Sequence, residues 1–174
     1  MRKGSDLIGL PVIAFDTGSR FEKVEDVVFD QDSNRVLGVI VEDGGWLRSA
    51  RVVPFSDLQA VGPDAVIVHS AAVVRGRDQA AEMRPVLERG NVLKGTRIMT
   101  TDGRDLGTMT DIFFDERTGA LEGYELSGGM FTDAYTGRSF VPAPKTVKIG
   151  HDVAFVEPDV LQLMQEQVGG IRGA

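Results

Sequence analysis

The sequence predicts a mainly β protein built of two small antiparallel barrels in tandem, joined by a short linker helix and closed by a C-terminal helix. The stretch Val24-Glu25-Asp26-Val27-Val28-Phe29-Asp30 recurs as Met109-Thr110-Asp111-Ile112-Phe113-Phe114-Asp115. A polar turn follows each copy, then an apolar residue and a glycine, Val36 with Gly38 and Leu121 with Gly123. Corresponding positions stay 84 to 88 residues apart along nearly the whole chain. Length differences between the copies therefore fall in loops, where chain is gained and lost at low cost.

The first copy reads as a series of short strands. Gly9 to Phe15 is the first, followed by the turn signal Asp16-Thr17-Gly18. Phe21 to Phe29 alternates apolar and polar and then turns continuously apolar, as a strand passing from an edge into the interior would. Arg35 to Val41, Ala50 to Phe55 and Ala65 to Val68 complete the set, with Pro54 closing the fourth strand. The second copy repeats the order: Arg97 to Thr101, Leu106 to Phe114, Ala120 to Leu126, Phe140 to Pro142 and Val153 to Val156. Short strands with a turn every ten residues or so favour closed sheets, because closure removes edges that invite aggregation. A core of roughly 70 residues is marginal on its own, so cover from the helices or from the sister copy is expected.

The resulting division is a first repeat over 5–75, a linker over 76–90, a second repeat over 91–157 and a helix over 158–170. In the linker, Asp78 caps a helix through Met83, with Pro85 ending or kinking it and Val86 to Arg89 adding a turn. At the C-terminus Pro158 suits a first helical position and Gly169 a stop. Val160, Leu161, Met164 and Val168 share one face of that helix.

Composition narrows the functional classes. A net charge of -7 and a pI of about 4.8 oppose general nucleic-acid binding, which rests on Lys and Arg displacing counterions. The absence of cysteine removes disulfides, thiolate metal sites and thiol catalysis. No apolar run is long enough to span a membrane and no signal core follows Met1-Arg2-Lys3, so the expectation is a cytoplasmic protein.

With the repeat in view, the chain resembles tandem PRC-barrel proteins. That family is named for the cytoplasmic domain of the photosynthetic reaction centre H subunit, and a related barrel ends a small-subunit ribosome maturation factor. The residues that carry the resemblance are Gly9, Val24 to Asp30 and Gly38, then Gly95, Asp102-Gly103, Leu106-Gly107, Met109 to Asp115 and Gly123. In the first copy Phe21-Glu22 stands where the second has Leu106-Gly107, a looser match. The resemblance implies a non-catalytic barrel used as an assembly or adaptor surface. The membrane helix of the reaction-centre subunit and the N-terminal domain of the ribosome factor have no counterpart in this sequence.

The sequence holds no complete catalytic or metal motif. Asp30-x-Asp32-x-Asn34 opens like a calcium loop, but Arg35 and Val41 occupy the positions where an EF-hand needs Gly and Glu, so it reads as a turn. His69 and His151 do not correspond between copies and have no ligand spacing around them. No nucleophile elbow or phosphate-binding loop is present. Asp30 and Asp115 read as carboxylates bonded to turn amides, and Asp26 and Asp111 as structural hydrogen-bond acceptors. The expectation is therefore no enzyme, no cofactor and no metal.

Two loop tips stand out for interaction: Trp46-Leu47 after Gly44-Gly45, and Met130-Phe131 after Gly128-Gly129, with Tyr135 extending the second. Large apolar side chains after glycine pairs suit a protein interface. A tip folded over its own barrel is the competing reading. Expected partners are another protein or a second copy of the chain. A ribosome-associated or RNA-contacting factor and a small-molecule binder between the barrels are the alternatives.

Overall fold

The computed structural model describes residues 1–42, 50–89, 94–129, 138–142, 146–150 and 152–164. The strands are β1 (Arg2–Lys3), β2 (Pro11–Ala14), β3 (Ser19–Lys23), β4 (Asp26–Asp30), β5 (Arg35–Glu42), β6 (Arg51–Pro54), β7 (Leu58–Val61), β8 (Val66–Val68) and β9 (Arg75–Gly76). After the helix α1 (Arg84–Arg89) come β10 (Arg97–Thr100), β11 (Asp105–Phe114), β12 (Leu121–Ser127), β13 (Arg138–Pro142), β14 (Thr146–Ile149) and β15 (Val153–Val156). The chain forms two compact units, Met1–Asn91 with Phe114–Leu121, and Val92–Phe113 with Glu122–Ala174.

The first repeat holds two sheets, β3-β2-β8-β7 and β4-β5-β6-β9. The second runs β13-β12-β11-β10-β15-β14 in one sheet. These are the same order. The single long strand read over Phe21 to Phe29 is divided at Val24-Glu25 into β3 and β4, whereas its counterpart β11 is continuous. Even so, the backbone bonds at the division are alike. Gly9 N–H donates to the Val24 carbonyl and Gly95 N–H to that of Met109, both at 2.8 Å. Both repeats also carry an irregularity in the first hairpin, between Val12 and Ile13 and between Ile98 and Met99.

Antiparallel pairing dominates, and each repeat also holds a parallel pair. β2 runs parallel to β8, pairing Val12 with Val66 and Ala14 with Val68. β10 runs parallel to β15 in the same way, pairing Ile98 with Ala154 and Thr100 with Val156. All eight side chains are buried. The edge strands β7 and β14 escaped the sequence reading, since each has only four residues and lies beside a turn.

A helix covers the first repeat. Ala80, Met83, Val86 and Leu87 pack on Val28 and Val52, with Leu37 and Ile40 at the margin. The expected start at Asp78 is displaced: a 3-10 turn takes Arg77–Gln79, and α1 begins at Arg84. Pro85 lies in its first turn, where the missing N–H costs nothing, so it opens the helix and does not end it. At the C-terminus residues 160–164 are helical, with Val160, Leu161 and Met164 buried and Leu163 exposed. Val168 lies outside the described residues.

The glycines of the repeated motif are required by close approach. Gly38 pairs with Pro54 and Gly123 with Pro142. A Cβ on Gly38 would meet the Val53 carbonyl at 2.3 Å and Met83 Cε at 2.9 Å. One on Gly123 would meet the Phe140 ring at 2.4 Å and the Val141 carbonyl at 2.5 Å. Phe140 is fixed in turn by an edge-on contact with Phe113, centroids 5.2 Å apart.

Overpacking of this kind costs about 1–3 kcal/mol, so Gly38→Ala and Gly123→Ala should each lower the urea midpoint without changing the m-value. Met83→Ala, which empties the cluster under α1, should cost about 2–5 kcal/mol in the same measurement.

Candidate interaction surface

The described residues offer one constellation built from both repeats' turns, and it lies wholly within the unit formed by Met1–Asn91 and Phe114–Leu121. Each long strand ends in an aspartate that organises the turn after it. Asp30 accepts from the Ser33 amide at 3.0 Å and the Ser33 hydroxyl at 2.7 Å. Asp115 accepts from the amides of Arg117 at 2.8 Å and Thr118 at 3.3 Å. Each turn closes on a left-handed residue, Asn34 at φ 51° and Gly119 at φ 77°. Asparagine and glycine are the residues that tolerate that region best.

The two turns then bond to each other reciprocally. Val36 N–H donates to the Gly119 carbonyl at 2.7 Å, and Leu121 N–H donates to the Asn34 carbonyl at 2.9 Å. Arg35 and Ala120 face each other as an antiparallel bridge between the two bonds. Val36 corresponds to Leu121 and Asn34 to Gly119, so each turn gives and receives the same bond. The Arg35 guanidinium adds a bond to the Thr118 carbonyl. On the outer side the Phe55 ring lies against Gly119, where a Cβ would sit 3.0–3.3 Å from three ring atoms.

Beside this contact is a cleft of about 350 Å³, lined by Phe55, Leu58, Gln59, Ala60, Val61, Glu116 and Arg117. One wall is strand β7, which bonds β8 and is, among the described residues, the last strand of its sheet. The opposite wall carries an acid and a base. Glu116 lies 3.4 Å from the N-terminal ammonium. A hydrogen bond from its own backbone amide, helped by that ammonium, holds its carboxyl below the usual range. The Asp115 carboxyl is held low chiefly by the Arg117 amide, with help from the Thr118 amide and the Arg117 charge. The lining thus presents strand backbone, apolar side chains and charge.

Trp46 and Leu47 lie on 43–49, between β5 and β6, and Met130, Phe131 and Tyr135 on 130–137, between β12 and β13. All five are outside the described residues. Of the glycine pair before the second tip, Gly129 is closely packed: a Cβ on it would lie 2.0 Å from the Leu106 carbonyl. His69 is exposed. Among the described residues no three of His, Cys, Asp or Glu converge as a metal site. Asp26 and Asp111 each accept the amide of the next residue at 2.8 Å, as expected of structural acceptors. What the sequence reading missed is the cleft itself. The Phe55 ring after Pro54 was its one visible signal.

Because Asp115 is held low in the folded chain, its contribution to stability is present above the ordinary carboxylate range of about pH 4 and is lost as pH falls through the folded value. Thermal melts of Asp115→Asn should therefore lie below wild type at pH 7 and converge with it in acid. A gap that stayed constant across that range would contradict the assignment.

No curated protein matches the chain. No helix among the described residues is long and apolar enough to cross a membrane. The PRC-barrel domain model matches twice, over residues 1–75 and 85–163, each match covering one run of the repeated strand order. The chain belongs to the PRC-barrel domain family, and it carries that domain in tandem.

Proposed function

We propose that this chain is a non-catalytic interaction or assembly module that acts through protein contacts. PRC-barrel domains are generally modules of that kind. The observation that supports the reading best is the composition of the cleft. Its walls are strand β7, the last described strand of its sheet, and the segment bearing Arg117 and Glu116, the latter against the N-terminal ammonium, with no side chain of the lining poised as nucleophile against a base. Open strand backbone is the feature by which sheets accept another chain. The tips bearing Trp46, Leu47, Met130, Phe131 and Tyr135 supply the large apolar side chains that interfaces favour.

The test is capture of partners from native lysate on immobilised chain, read by mass spectrometry, for wild type and for Trp46→Ala combined with Phe131→Ala. A defined set of proteins should bind wild type and be lost from the double variant, while the melting temperature is unchanged. Binding that is indifferent to both substitutions would remove the tips from the surface. A large drop in melting temperature would make them part of the core.

A further inference from the structure

We draw no further inference here: the strongest candidate, the cleft between strand β7 and the segment bearing Glu116 and Arg117, belongs to the surface already described, and nothing in the structure shows what covers it.

Discussion

The structure depends on the parallel pairing that ties the two ends of each repeat together. β2 meets β8, and β10 meets β15, each across about fifty intervening residues. Closing such a loop costs entropy that grows only slowly with its length, so the cost is similar in both repeats. Burial of Val12, Ala14, Val66 and Val68 in one, and of Ile98, Thr100, Ala154 and Val156 in the other, offsets it. With that pair made, the first strand is held on both sides, and the hairpins between are chain folded back on a fixed edge.

From that frame the copies diverge where a side chain reaches beyond its own sheet. Gly38 and Gly123 keep the same role, because the strand bearing Pro54 or Pro142 approaches too closely for a Cβ. The turns keep their aspartates and their left-handed residue. Phe55 breaks the likeness, since it covers Gly119 from one side only and leaves a cleft beside it. The reciprocal bonds between Asn34, Val36, Gly119 and Leu121 are symmetric in kind, and the surface around them is not.

Much of this was legible in the sequence because it is local or repeated. The Val24–Asp30 and Met109–Asp115 runs, the glycine spacing and the Asp-led turns are patterns of neighbouring residues, and they carry the order of strands with them. The parallel pairing was not legible: nothing in Val12-Ile13 says which distant strand it will meet, or in which direction. β7 was missed for the same reason, as Leu58-Gln59-Ala60-Val61 becomes a strand only because β8 is there to bond it. The linker shows the opposite error. Local rules placed a helix start at Asp78, and packing of Met83 and Leu87 on Val28 and Val52 set a different one. The cleft joins Leu58 to Glu116, residues far apart in sequence, so beyond Phe55 nothing local marked it.

The edges show why the divergence between copies carries information. A duplicated sheet inherits two copies of every exposed edge, and each is a hazard until it is guarded or used. Lys148 guards one at a position where the other has Ala60, within the same register and beside the same irregularity. The N-terminus brings charge to the other edge instead: the Arg2 guanidinium donates to the Gly62 carbonyl just after β7 at 2.9 Å, and the Met1 ammonium lies 3.4 Å from Glu116.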